Sequence, residues 1–347
     1  MATLYIHIGT HKTGTSTIQN TLNLNLNNHL GIKRDLGVIG TIREFYQMMS
    51  MKEEERALTR KVADTINPFI RECLPLGMQK FLISFEGFSG NFNDGYRHSQ
   101  TVASALQQVT DALHAIDDVK IIIYLRRQDD FVESIYNQTI KEGSSKTFGD
   151  YILTLDKEHF NWEKLLEHYA AVFGQENLIV KRYDKKHLPG TESLLKDFYA
   201  ILGINDFQMP QGNSNLGLSK EAIEVARVVN GHLNAPRQKQ ELRALLEATN
   251  QKEVYEKYSL FETEAARRAF LKQYQESNRT VAATYFGETD LFDNDFGNYR
   301  YEPYRGLSNE AVLVTLMKIL IHQNITWSGV LQKNTKVIGD IVSILQK

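Results

Sequence analysis

The chain holds a single cysteine, Cys73, among its 347 residues. That excludes an intramolecular disulfide framework and a thiolate metal cluster, and it suits a reducing compartment. Ten histidines are present, but none fall in an H-E-x-x-H or comparable ligand pairing, so no metal site is expected. Net charge is almost absent too: a formal −2 at pH 7 gives no overall attraction to nucleic acid or to a membrane surface. Any site for a polyanion must therefore be local. No apolar run is long enough to span a bilayer, and the opening residues lack both a charged n-region and an apolar h-region, so a cytoplasmic location is expected. Repeats are missing, and the only biased stretch is the Asn/Leu segment from Asn23 to Asn28. Asn137, Asn278 and Asn324 open N-x-S/T triplets, a pattern that arises often by chance, and nothing else in the chain suggests secretion. With 42% hydrophobic and 24% charged residues, the composition is that of a soluble globular protein of one large or two ordinary domains.

What is present is concentrated at the start. Thr3-Leu4-Tyr5-Ile6-His7-Ile8 is short, apolar and β-branched enough for a buried strand. Gly9-Thr10-His11-Lys12-Thr13-Gly14-Thr15-Ser16-Thr17 follows, and Thr17 to Leu22 reads as a helix opening. A strand, a glycine-bearing turn and a helix N-terminus make an anion cradle, because free N–H groups and the helix dipole both point into the turn. The Gly9 to Gly14 spacing nearly satisfies the nucleotide P-loop, G-x-x-x-x-G-K-[ST]. It departs at one position. Thr15 stands where the P-loop lysine belongs, and a lysine appears three residues earlier, at Lys12.

This arrangement resembles the 5′-phosphosulfate loop of the sulfotransferases, whose donor is 3′-phosphoadenosine-5′-phosphosulfate (PAPS). The family's Lys-x-Gly-Thr-[TS] core falls on Lys12, Thr13, Gly14, Thr15 and Ser16. Membrane-anchored members exist in the Golgi, so the resemblance here is to a free-standing bacterial form.

Further along, Lys80 to Phe85 reads as a second buried strand and stops at Glu86-Gly87. In open α/β sheets ligands gather at the carboxyl ends of strands, which makes Glu86 a candidate for chemistry. Ser84 and Glu86 are similar to a Ser-x-Glu turn of bacterial sulfotransferases, where the glutamate deprotonates the acceptor. Val102, Leu106, Val109, Leu113 and Ile116 predict an amphipathic helix over Ser99 to Ile116. Val119 to Leu125 is the strongest strand in the chain, and Arg126 to Ser134 runs from its end into another helix. Arg126 and Ser134 match the arginine and serine that grip the donor's 3′-phosphate in the family, as a guanidinium fork and a neutral hydroxyl suit phosphate oxygens. Arg127 is the alternative ligand.

Asn177 to Tyr183 is a fourth strand, followed by a helix over Ser193 to Leu202 that ends at Gly203. Lys181, Arg182, Lys185 and Lys186 form a local positive patch, read as a solvated edge. Residues 52–72 predict a surface helix, and 220–286 read as mostly helical after a loop capped by Ser219. An aromatic and acidic loop from Asp290 to Arg305 has the composition of a sugar-stacking wall but reads rather as satellite core packing, and two more helices are suggested around Leu313 to Leu320 and Ile338 to Leu345.

Alternating strands and helices predict an α/β fold, with a P-loop-NTPase-like central parallel sheet flanked by helices and a helical C-terminal extension. The expected division is a PAPS-binding core at 1–210 and a mostly helical part at 211–347 packed on it. The resemblance spans about residues 3 to 290. It implies that His11, Lys12, Thr13, Gly14, Thr15, Ser16 and Thr17 hold the 5′-phosphosulfate, with Lys12 at the bridging oxygen. It further implies that Arg126 and Ser134 hold the 3′-phosphate and that Glu86 is the base, His11 being the second choice. PAPS is the expected donor and PAP the product, with no metal required. The expected partner is a small-molecule or glycan acceptor and at most a second copy of the chain, without nucleic acid. Two other readings stay open: a P-loop small-molecule kinase, against which Thr15 speaks, and a non-catalytic nucleotide- or glycan-binding protein of the same fold.

Overall fold

The computed structural model describes residues 1–27, 36–38, 55–210, 217–249, 259–296, 301 and 307–322. At its centre lies a five-stranded parallel sheet built from β1 (Thr3–Gly9), β2 (Leu36–Val38), β3 (Lys80–Ser84), β4 (Asp118–Leu125) and β5 (Leu178–Arg182), in the order β2-β3-β1-β4-β5. The α/β class and its helix-flanked parallel sheet are as the sequence pattern predicts. β2 is an addition: three residues in a stretch without alternation carry no readable strand signal.

Chain order reverses across β1. From β1 the chain runs to the sheet edge with β2, returns to place β3 beside β1, then crosses to place β4 on the other side of β1. The gap between β1 and β4 is the topological switch point, where an open α/β sheet leaves a crevice at the carboxyl ends of its strands.

Both faces are covered. Helix α1 (Thr15–Asn27) supplies Ile18 and Leu22 to one of them. There they meet Leu82, Ile122 and Tyr124 of the strands and Leu194, Leu195, Phe198 and Tyr199 of α7 (Thr191–Ile201). Alternation puts Phe81 and Ile83 on the opposite face, beneath α2 (Glu55–Cys73). α3 (Ser99–Asp111) packs beside α2 on one flank and beside α6 (Trp162–Phe173) on the other. Between α3 and α6 in sequence come α4 (Gln128–Lys141) and α5 (Phe148–Leu153).

α3 ends at Asp111, five residues short of the helix expected to reach Ile116. The reason is Asn67 of α2. Its amide donates to the Ala112 carbonyl at 3.0 Å and its oxygen accepts from His114 N at 2.7 Å, capturing the backbone where the helix would have continued. α7 closes as read, with Gly203 left-handed and Ile204 N reaching back to the Tyr199 carbonyl, a Schellman pattern.

The remaining helices are α8 (Lys220–Asn230), α9 (Pro236–Thr249), α10 (Glu264–Lys272), α11 (Gln275–Phe286) and α12 (Asn309–His322). Ser219 caps α8 through its hydroxyl, which accepts from Ala222 N at 3.2 Å. The chain forms two compact units: Met1–Ile135, Ile152–Ser214 and Glu264–Phe296 make the first, which contains the sheet. The second comprises Tyr136–Tyr151, Asn215–Thr263 and Gly297–Lys347, with a core of Tyr136, Ile140, Leu218, Ile223 and Leu246. Part of the loop that Ser219 caps, and the helix expected around Ile338 to Leu345, lie outside the described residues.

Candidate functional site

The loop after β1 departs from ordinary backbone geometry at three residues. Gly9, Lys12 and Gly14 have φ of +89°, +60° and +81°. Two are glycines for clear steric reasons. A Cβ on Gly14 would fall 2.4 Å from Leu194 Cδ2, and one on Gly9 would meet Glu86 Cβ at 3.2 Å. Lys12 is the exception, an exposed residue held in the left-handed region, where a side chain is tolerated only at a cost.

Internal hydrogen bonds fix the loop. Thr10 N donates to the Tyr124 carbonyl at 3.1 Å, anchoring the loop to β4. The buried Thr13 and Thr15 hydroxyls donate to the Thr10 carbonyl at 2.6 and 3.4 Å. What these two residues offer a ligand is therefore chiefly their N–H groups. Ile18 N is the first amide to enter the helix ladder, on the Gly14 carbonyl. Among the described residues, the N–H groups of Thr13, Gly14, Thr15, Ser16 and Thr17 donate to no acceptor. Five consecutive free donors at a helix N-terminus form an anion nest.

His11 lies half-buried against aromatic rings. Its backbone N donates to Tyr96 Oη at 3.2 Å, its Nδ1 is 2.9 Å from the same oxygen, and Phe92 meets it edge-on. Burial, with Lys12 beside it, lowers its pKa to about 4, so the ring is neutral near pH 7. Tyr96 is itself wedged among Phe131, Phe160 and Trp162, and Trp162 Nε1 donates to the Arg126 carbonyl at 2.9 Å. One aromatic cluster thus positions both His11 and the end of β4.

Arg126 and Arg127 diverge. Arg126 is half-buried, and its Nη1 donates to the Lys12 carbonyl at 3.2 Å while its guanidinium lies 5.9 Å from the Tyr183 ring centre. Tyr183 in turn stands beside Gly14. Arg127 is buried: it grips Asp129 through Nε and Nη2, donates to the Asp293 and Asp295 carbonyls, and stacks on Phe296. Of the two arginines, the one at the phosphate-type loop is Arg126. The hydroxyl of Ser134, half-buried on α4, makes no hydrogen bond among the described residues.

Glu86 opens a short 3₁₀ turn just beyond β3, where Phe85 N donates to the His7 carbonyl. Its Oε2 accepts from Gln19 Nε2 at 3.2 Å, and the same amide donates to the Ser84 carbonyl at 3.1 Å. Gln19 went unread in the sequence, since a glutamine on the first turns of an amphipathic helix carries no distinguishing signal. His7 is fully buried in β1, bonded to Ser84 Oγ, with its pKa lowered to about 3 by desolvation. It belongs to the core.

The basic patch divides: Lys185 and Lys186 are exposed, as a solvated edge requires, whereas Lys181 and Arg182 are held by partners. Lys181 pairs with Asp197 at 2.7 Å, and the buried Arg182 forms a two-point pair with Glu288 and stacks on Phe286. In the Asp290 loop, Phe292 and Phe296 are buried, which fits the packing role expected of it. No group of three or more His, Cys, Asp or Glu side chains arranged for a metal occurs among the described residues, and none of their helices is long and apolar enough to cross a membrane.

No protein-family model matches the chain. An uncharacterised protein of Archaeoglobus fulgidus is 30% identical over 179 residues, 50% of this chain and 47% of that protein. The match thus spans about half of the relative's length. Among solved structures, the sulfotransferase from Alicyclobacillus acidocaldarius is similar with a TM-score of 0.39 and 14% identity, covering 70% of this chain and 95% of that one.

Proposed function

We propose that the chain is a sulfotransferase that moves a sulfuryl group from PAPS to a hydroxyl or amine acceptor, a glycan being the acceptor class we favour. One observation carries this reading: five free N–H groups at Thr13–Thr17 lie next to Arg126, whose side chain bonds the loop itself. An anion nest with a guanidinium at its edge suits a ligand bearing two separate anionic groups.

In this reading the loop amides and the exposed Ser16 receive the 5′-phosphosulfate, and Arg126 with Ser134 takes the 3′-phosphate. Lys12 stabilises the charge that grows on the bridging oxygen as the S–O bond breaks, a kind of assistance worth on the order of 3–4 kcal/mol per donor. The acceptor oxygen forms the new S–O bond in line, its proton passes to Glu86, and PAP leaves with the bond's electrons. Gln19 holds the carboxylate toward the β1 end, where Gly9 admits it at close range. A carboxylate suffices as base if proton transfer is late, as a loose transition state allows. His11, neutral and turned to Tyr96, serves the loop's shape in this scheme.

The test is transfer of radiolabelled sulfate from PAPS to a panel of glycans. Transfer that disappears in Glu86→Gln, with PAP binding retained, is the expected result. Absence of transfer, together with Mg²⁺-dependent phosphoryl transfer from ATP, would replace this reading with the kinase.

A further inference from the structure

Resting on the donor-site reading, we infer that Arg267, remote in sequence and fully buried, is a positioning residue for the donor's 3′-phosphate. The motif Arg126–Ser134 contains its own obstacle. Asp129, Asp130 and Glu133 all lie within it, on the first two turns of α4. Asp130 and Ser134 are four residues apart on a helix, which sets their Cβ atoms about 5–6 Å from one another. A phosphate dianion on Ser134 would therefore sit beside a carboxylate.

Arg267 of α10 answers all three acids at once. Its Nη1 donates to Asp129 Oδ2 at 2.8 Å and to Asp130 Oδ1 at 3.2 Å, and its Nη2 pairs with Glu133 Oε1 at 2.6 Å. Its side chain is 0% exposed. Arg127 holds the other side of Asp129, so a buried alternation of guanidinium and carboxylate underlies the start of α4. Gln128 and Asn278 of α11 add a reciprocal amide pair at 2.8 and 3.0 Å, fixing the helix beside the network. With the acids paired to buried guanidinium, Arg126 and Ser134 are left as the charge and the donor that a phosphate meets. Without Arg267, Asp129, Asp130 and Glu133 lose the guanidinium that pairs them, and their partial burial weakens the screening that water supplies.

The experiment is PAP calorimetry with thermal melts on wild type, Arg267→Gln, Arg267→Gln/Glu133→Gln and Glu133→Gln. Arg267→Gln is expected to weaken PAP by about tenfold, as one uncompensated charge at this range does. Removing one carboxylate in the double variant should restore affinity to within about threefold of wild type, a recovery that a purely structural loss does not give. Glu133→Gln alone, with Arg267 in place, should tighten PAP about threefold, and it reads the same charge even if Arg267→Gln fails to fold. Folded Arg267→Gln with wild-type affinity, a double variant with no recovery, or Glu133→Gln binding no tighter than wild type each overturn the inference. Absence of PAP binding in wild type overturns the donor reading itself, and the inference with it.

Discussion

Two adjacent arginines should separate cleanly into stability and binding. Arg127 donates to both oxygens of Asp129 and to two backbone carbonyls, and it lies 4.6 Å from the Phe296 ring centre, almost wholly buried. Replacing it by alanine strips a buried carboxylate of one partner and leaves two carbonyls without their donor. Breaking a buried pair from one side costs about 3–5 kcal/mol. Arg126 makes one 3.2 Å bond to a carbonyl and a 5.9 Å approach to Tyr183, so its alanine variant should lose less than about 1 kcal/mol. Urea unfolding followed by the fluorescence of Trp162, which is buried in the same aromatic cluster, reads this directly. The expected midpoints put Arg127→Ala far below Arg126→Ala, with similar slopes. Equal midpoints, or Arg126→Ala the less stable of the two, would refute the division of roles drawn from the geometry.

Gly14→Ala should cost about 2–4 kcal/mol, combining left-handed strain with the 2.4 Å encounter with Leu194, and differential scanning calorimetry should show the matching fall in Tm. Gln19→Ala should lower kcat without changing PAP affinity, because Gln19 touches Glu86 and not the loop; a change in PAP affinity alone would place it elsewhere. Stability should fall with pH below neutrality. His11 and His7 have folded pKa values lowered to about 4 and about 3, so between pH 6.5 and those values the unfolded chain binds more protons and the folded state loses ground. Urea midpoints at pH 7 and pH 5 check the direction, and His7→Leu should flatten the dependence.

Much of the fold was legible because it rests on local pattern. The apolar runs of β1, β3, β4 and β5 are short, β-branched and bounded by turn residues, and a parallel sheet follows from their alternation with helices. The loop was legible for a related reason: its glycine spacing encodes backbone geometry that tolerates few other residues. Long-range partners were not legible. Asn67 shortens α3 from 45 residues away. Gln19 reaches Glu86 only because β1 and β3 are neighbours, and Arg267 meets Asp129 across 138 residues. Arg127 had a local clue in Asp129, two positions on, which lies within reach of a two-point pair. Lys181 and Arg182 read as a solvated patch because their counter-charges, Asp197 and Glu288, come from other segments.

The donor site can be tested with one ligand. Calorimetric titration of adenosine 3′,5′-bisphosphate into wild type and Arg126→Ala, each with and without Mg²⁺, measures the anion nest and its guanidinium together. Binding that is indifferent to the metal and at least about tenfold weaker in the variant is expected, the value of a charged hydrogen bond to phosphate. No binding by wild type, or ATP preferred once Mg²⁺ is present, would contradict it and return the loop to a phosphoryl-transfer or non-catalytic role.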